Sequence, residues 1–474
     1  MSPATPITIP FATPFASAVA EIRAGSADPA SLVRAGVARI RQENPRFNAI
    51  VAERGDQAVD EAAGLTSTGR TGGVLAGVPF TAKDMLATAD LPTTCGSRAL
   101  EGNTTGEDAT VVARMRAAGA VLVGKTNCPE FALGVDTDND LFGPTRNPLG
   151  PWTAGGSSGG EAAAVASGMS MVGLGSDYGG SLRWPAQCAG LVGLRPTVGR
   201  VPRSGEQPGG PVHDGPLRDF QDTVQVVGPI GRSAQDVFTV LQVIAGPDGR
   251  DPLAEDQPLR DYRDVGLEDL EIAWAPTVGE VVVDREVAAA VETAAAALAL
   301  SGARVSMGVP TEVDRAATVY DRLRSAEPMS AVARLAEAHP HLVGAGIKAM
   351  LDARVRLTED ALAELWAERD ALVAGLGAWL RGDRVLLLPV STEAPHDLTG
   401  RVADFHLLAP SRAISLFGIP AVSVPVSTSS TGSPISVQVV GAAFREDVVL
   451  AVCDYLARGE RAVSPAPEEV HRAR

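Results

Sequence analysis

The sequence predicts an α/β protein in which a sheet layer is covered by helices on both faces. Three observations carry this. Short, continuous apolar runs recur along the chain, the pattern of strands buried on both sides. Segments with apolar residues at helical spacing alternate with them. Hydrophobic residues make up 45% of the 474, enough for a sizeable core.

The elements follow in order. Residues 14–64 read as helical, with Val19, Ile22, Leu32, Val33, Val37 and Ile40 at helical spacing. Asp28-Pro29 supplies a helix start, the acid at the cap and proline in the first turn. Beyond Gly72 the chain changes to apolar runs joined by Gly and Pro: a buried strand over 77–82, a helix over 108–118, and strands over 120–123, 169–174 and 224–227. The stretch 203–216, rich in Gly and Pro, reads equally as a lid and as an ordinary surface excursion. Helical patterns return over 286–382, most clearly at 287–300 and 359–380, then strands at 385–388, 422–426 and 435–440 and a helix at 448–456. The polar end, 461–474, with its two prolines, reads as loosely held.

Composition excludes several functions. A net charge of −16 and an aromatic content of 4% leave neither a basic face for phosphates nor stacking platforms for bases. Cys95, Cys128, Cys188 and Cys453 are too widely separated for a disulfide framework or a zinc site, and read as buried thiols. No apolar run approaches the ~18 residues that span a bilayer, and no charged and then apolar leader opens the chain. A cytoplasmic protein with no membrane and no nucleic-acid partner is expected.

Two patterns mislead. Gly119 to Thr126 satisfies G-x-x-x-x-G-K-T, but its four intervening residues, Ala120-Val121-Leu122-Val123, are themselves a strand and cannot wrap phosphates. Gly155-Gly156-Ser157-Ser158-Gly159 satisfies the G-x-S-x-G nucleophile elbow, which needs a downstream acid and histidine. None of the six histidines (His213, His339, His341, His396, His406, His471) is singled out by its context.

The informative region is 155–196. Ser157 and Ser181 stand 24 residues apart, each inside a double-glycine turn. Gly179-Gly180-Ser181 predicts a nest of converging N–H groups, an oxyanion site. Between the turns, Glu161 to Ser167 with four alanines predicts a thin helix able to approach the sheet closely. Asp177 and Arg183 flank the second turn and are placed to brace it as an ion pair. One such cluster is an ordinary turn. Two across one helix indicate a site.

These residues resemble the amidase signature family. The resemblance rests on 155–160, 175–186 and 190–196, and extends to Gly77-Val78-Pro79 through Lys83-Asp84, to Gly124-Lys125-Thr126-Asn127 with Glu130-Phe131-Ala132, and to 227–233. Gly418-Ile419-Pro420-Ala421 and Pro434-Ile435-Ser436-Val437-Gln438 agree near the end. It implies a central mixed β-sheet covered on both faces by helices, with an N-terminal helical segment 1–64, a signature core 65–245, and a C-terminal α/β part 246–474 of the same catalytic domain. It also implies a Ser–cis-Ser–Lys triad, with Ser181 as nucleophile, Ser157 as bridging serine after a cis bond from Gly156, and Lys83 as base. The amides of Tyr178, Gly179, Gly180 and Ser181 would form the oxyanion hole, supported by Ser158, Asp177 and Arg183. No metal and no cofactor is expected.

The implied activity is hydrolysis of a small-molecule carboxylic amide through an acyl-enzyme. The alternatives are an amide-forming acyl transferase, an amidotransferase A-type subunit of the same family, and a non-catalytic binding protein, against which the intact Lys83, Ser157 and Ser181 argue. The A-type subunits of glutamyl-tRNA amidotransferases carry an acid seven positions before an Asn-Leu-x-Gly stretch. Here Leu408 and Ser415-Leu416-Phe417-Gly418 occupy those positions, and Ile347-Lys348-Ala349-Met350 stands where an Arg-Arg segment is expected. Recognition of free glutamine is therefore not expected. Tyr178, where many members carry Thr or Ile, places a ring beside the nucleophile. Segments 286–382 and 203–216 are expected to build the substrate pocket, and a homodimer remains compatible with all of this.

Overall fold

The computed structural model describes residues 15–209, 219–398 and 405–463, without the side chains of 460–463. Its strands are β1 (Ile50–Glu53), β2 (Pro79–Lys83), β3 (Val121–Thr126), β4 (Val172–Asp177), β5 (Val192–Arg195), β6 (Val226–Gly231), β7 (Glu271–Trp274), β8 (Arg304–Met307), β9 (Arg384–Pro389), β10 (Ala421–Thr428) and β11 (Pro434–Val440). They form one eleven-stranded sheet in the order β1-β3-β2-β4-β6-β5-β10-β11-β9-β7-β8. It is mixed: β2 runs parallel to β3 and β4, whereas the pairs β4–β6, β6–β5, β5–β10 and β10–β11 through the middle of the sheet are antiparallel.

Helices flank it. The N-terminal ones are α1 (Phe15–Arg23), α2 (Pro29–Phe47) and α3 (Asp56–Ser67), followed by α4 (Thr110–Ala117), α5 (Gly159–Ser167), α6 (Arg183–Cys188), α7 (Phe220–Val224) and α8 (Ala234–Ile244). The C-terminal part adds α9 (Arg285–Leu300), α10 (Thr311–Ala326), α11 (Ser330–Ala338), α12 (Ala345–Asp352), α13 (Glu359–Trp379), α14 (Ala409–Ser415) and α15 (Glu446–Val463). Asp28 caps α2 as expected, its carboxylate accepting the Ala30 N–H, with Pro29 in the first turn.

Several boundaries differ from expectation. Residues 14–64 are not helical throughout, because β1 interrupts them. Four residues are too few to display a period of two, and β1 exists through its antiparallel pairing with β3, more than seventy residues away. The strand expected at 169–174 runs over Val172–Asp177, since Gly168, at φ +78°, is still turning the chain out of α5. The strand expected at 224–227 runs over Val226–Gly231, through a Gly-Pro-Ile-Gly sequence that reads as a turn in isolation. Of the stretch 203–216, residues 210–216 lie outside the described residues. The described part is pinned, with Arg203 bonded to Glu206 (2.8 Å) and Asp222 (3.3 Å). The stretch 464–474 also lies outside them.

The strands around the site owe their closeness to glycine. All of α5 is buried, its alanines against the sheet. A Cβ on Gly175 of β4 would lie 2.7 Å from Ser158 Oγ, and one on Gly173 would lie 2.8 Å from the Glu161 carboxyl carbon. Such contacts force the backbone apart. Glycine at these two positions lets α5 lie close against the strands that deliver Lys83 and Asp177.

Candidate functional site

Strands β2 and β4 run parallel and both end at the site, β2 on Lys83 and β4 on Asp177. Open sheets place functional residues at the carboxyl ends of parallel strands. Register explains what Lys83 meets. Ala82 pairs with Leu174, so Lys83, the last residue of β2, stands alongside the end of β4. Its Nζ lies 2.6 Å from Ser157 Oγ and 3.0 Å from Ser176 Oγ. Lys83 is wholly buried. Burial lowers its pKa below the ordinary lysine value, against the opposing pull of Cys128, Glu206, Asp177 and Glu161. The neutral amine, able to accept a proton, is thereby favoured.

Ser157 sits in the turn that opens α5, behind a cis Gly156–Ser157 peptide bond. Thr137 braces this turn, accepting the Gly159 N–H at 3.1 Å and donating to the Gly155 carbonyl at 2.8 Å. Gly156 lies against the backbone of the 134–136 loop, where a Cβ would come within 2.7 Å of the Val135 carbonyl carbon. Ser158, 3.3 Å from the Ser176 carbonyl, ties the same turn to β4.

The second turn, Tyr178-Gly179-Gly180-Ser181, is organised by Asp177. Its carboxylate accepts the N–H groups of Gly180 (2.8 Å) and Leu182 (3.1 Å). It also pairs with Arg183 at 3.0 Å, the expected ion pair, and with Arg195 of β5 at 3.2 Å. Burial would raise the Asp177 pKa, but the two guanidinium groups outweigh it and hold the carboxyl well below the usual range. Arg183 in turn donates to Gln438 Oε1 (2.7 Å) and Ser415 Oγ (2.7 Å). The Gly180 N–H, expected among the oxyanion donors, is thus engaged by Asp177. Gly180 has φ +123°, and a Cβ there would lie 2.8 Å from Ser411 Cβ. Side chains are excluded at this position on both counts.

Asp177→Asn is expected to destabilise the fold by about 3–5 kcal/mol, because it leaves two buried guanidinium groups short of a counter-charge. Urea unfolding of the variant measures this. The native Asp177 pKa is depressed, so its stabilising effect is full above the unfolded carboxyl pKa of ~3.9 and is lost as pH falls through the lower native value. The parent should therefore lose its advantage over Asp177→Asn only in strong acid.

The Tyr178 ring is held by other aromatic residues. Its hydroxyl donates to Glu327 at 2.5 Å, and its ring meets Phe220 and Tyr320 edge-on. Glu327 also accepts the Gln221 N–H (2.7 Å), and burial raises its pKa to about 7. Among the described residues no histidine is bonded to Ser157, which meets Lys83. His396 stacks on Trp184 and lies 3.2 Å from Asp136, and His213 and His471 fall outside the described residues. Among the described residues no three His, Cys, Asp or Glu side chains are grouped to hold a metal ion, and no helix is long and apolar enough to cross a membrane. Lys125-Thr126 of the apparent phosphate loop lies inside β3, with Lys125 bonded to Asp84 at 3.1 Å.

The structure therefore brings Lys83 to Ser157, and Asp177 and Arg183 to the turn that carries Ser181. It adds Ser176, Arg195, Ser415 and Gln438, which sequence reasoning gave no role. Ser176 and Arg195 lie within the informative region but carry no signal that sets them apart from their neighbours. Ser415 and Gln438 lie in C-terminal stretches compared with the family, but nothing there ties them to Arg183, more than 230 residues away.

The family model described as Amidase matches residues 31–450. The A-type subunit of the glutamyl-tRNA(Gln) amidotransferase of Synechococcus sp. (strain CC9605) is 33% identical over 495 aligned positions, covering 94% of this chain and 96% of that protein. Among solved structures, a bacterial aryl acylamidase belonging to the amidase signature enzymes superposes with a TM-score of 0.83 at 26% identity, covering 98% of this chain and all of that one. A 6-aminohexanoate cyclic dimer hydrolase complexed with substrate gives a TM-score of 0.80 at 29% identity, with 96% and 98% covered.

Proposed function

The chain belongs to the amidase signature family, and from that premise we propose that it is an amidase that hydrolyses a carboxylic amide through an acyl-enzyme on Ser181. The observation that carries this reading is the 2.6 Å contact between a wholly buried lysine amine and Ser157 Oγ. A serine hydroxyl attacks a carbonyl only if a base takes its proton, and lysine is such a base only when burial keeps it neutral.

In the proposed cycle Ser181 Oγ attacks the amide carbon as its proton passes to Ser157 Oγ, whose own proton passes to Lys83 Nζ. Charge develops on the carbonyl oxygen, and the amides of Tyr178, Gly179 and Ser181 would hold it. One such donor is typically worth ~2.7–4 kcal/mol at the transition state. The C–N bond then breaks, and the proton returns from Lys83 through Ser157 to the departing nitrogen. This leaves an ester on Ser181. Water, deprotonated along the same path, releases the acid and restores the hydroxyl. The buried Asp177–Arg183–Arg195 cluster holds the turn so that its amides need not reorganise as charge appears.

A second reading is favoured by the amidotransferase relatives: an A-type subunit releasing ammonia from glutamine beside partner subunits. Ser415 supports the first reading. It stands where those subunits carry Asn, and its hydroxyl is bonded to Arg183 and to the Ser411 carbonyl (3.0 Å). The deciding experiment incubates the purified chain with aliphatic, aryl and peptidyl amides and with free glutamine, with and without an added amine. Free acid from a simple amide, and none from glutamine, is expected. Glutamate from glutamine with no other amide cleaved makes it an amidotransferase component, and amide formed with the added amine makes it a transferase.

A further inference from the structure

Behind the Lys83–Ser157 contact lies a carboxyl that no step above uses. Glu161 of α5 is wholly buried, and its partners are hydroxyls. Oε2 lies 2.5 Å from Thr81 Oγ1 and Oε1 lies 2.7 Å from Thr126 Oγ1. Both threonines are tied to Lys83: Thr81 lies two residues before it on the same face of β2, and Thr126 sits opposite it in the β2–β3 register. Ser170 Oγ, 3.2 Å from Thr81 Oγ1, extends the chain of hydroxyls. Gly173 of β4, paired with Thr81, leaves the space the carboxyl fills.

The charged groups around it are committed elsewhere. Lys83 of β2 is bonded to Ser157 and Ser176, and Lys125 of β3 to Asp84 and, at 2.8 Å, to Thr93. Asp177 at the end of β4 is held by Arg183 and Arg195, and Arg232 after β6 donates to the Val165 carbonyl. No cation lies within ion-pair distance of Glu161 among the described residues. A carboxyl in such a place keeps its proton. Burial raises its pKa to about 8 in agreement. The same contacts accommodate the acid: with a proton on Oε2, Glu161 would donate to Thr81 and Thr81 to Ser170, while Thr126 O–H donates to Oε1; the carboxylate would instead accept from both threonines.

We infer that Glu161 is a positioning residue for the amide-cleaving site: as the neutral acid it ties β2 to β3 directly behind Lys83 and keeps negative charge away from the amine that must stay unprotonated. This rests on the reading of Lys83 as base. An ionised Glu161 would favour the lysine ammonium and oppose that role.

The test compares the parent with Glu161→Gln and Glu161→Leu by thermal melting between pH 5 and 8 and by pH–rate profiles. Gln keeps the pattern, its carbonyl accepting from Thr126 and its amide donating to Thr81. Its kcat is expected within about threefold of the parent, with the acid limb of kcat/KM unmoved. Leu, which drops both bonds, is expected to lose about tenfold or more in kcat. A folded-state carboxyl pKa above the unfolded value of ~4.3 means that folding retains a proton, so the melting temperature of the parent should fall relative to Glu161→Gln as pH rises from 5 to 8. A difference that is flat or rising with pH overturns the neutral acid. An acid limb moved down by a unit or more in Glu161→Gln does the same, because it shows that an anion had been holding the proton on Lys83. If no amide is cleaved, the reading of Lys83 fails, and the melting comparison still decides the charge state of Glu161.

Discussion

Ser181→Ala is expected to lower amide turnover by about 10³-fold or more and to abolish covalent labelling by a fluorophosphonate. The physical ground is that, in the proposed cycle, this one oxygen carries the acyl group. The turn around it is held by the Asp177 carboxylate, whose contacts with Gly180, Leu182, Arg183 and Arg195 do not involve the Ser181 hydroxyl. The melting temperature should therefore match the parent, and the loss should appear in kcat. Ser157→Ala keeps the proposed nucleophile and removes the proposed relay, so slow labelling should persist there. Full-stoichiometry labelling of Ser181→Ala would mean that another residue is the nucleophile.

Lys83→Met is expected to cost about 10²–10⁴-fold in kcat/KM, the range of a lost general base. The parent rate should rise with pH through the lowered lysine pKa, as the ammonium gives up its proton, and the variant should lack that limb. Stability gives an independent sign. The unfolded chain binds a proton on this lysine at pH values where the buried amine resists it, so the parent gains stability with rising pH and the variant does not. A variant that keeps the parent's limb would assign the titration to another group and remove Lys83 from the base role.

Legibility differs between the two halves of the site. The turns at Ser157 and Ser181 are written locally, because two double-glycine serine turns flank one alanine helix that needs close packing to make sense, where a single such turn would be ordinary. The bracing of the second turn is half visible. Arg183 lies six residues from Asp177 and is readable as its partner, whereas Arg195 arrives from β5 and Gln438 from β11. Glu161 reads as one more helix-forming residue until Gly173 is seen to vacate the space it fills.

Apolar runs, cap residues and glycine turns are properties of neighbours along the chain, so the α/β class, most of the long elements and the two serine turns follow from the sequence alone. Proton affinities and contacts between distant strands do not. Lys83 meets Ser157 across 74 positions because β2 and β4 pair in one register and α5, which Ser157 precedes, packs across both. Its amine is driven toward the neutral form because the folded sheet and α5 exclude water from it. A shift of one residue in that register would turn Lys83 to the other face of the sheet. Only the tertiary structure fixes that register, and with it the surroundings that lower an ordinary lysine's proton affinity.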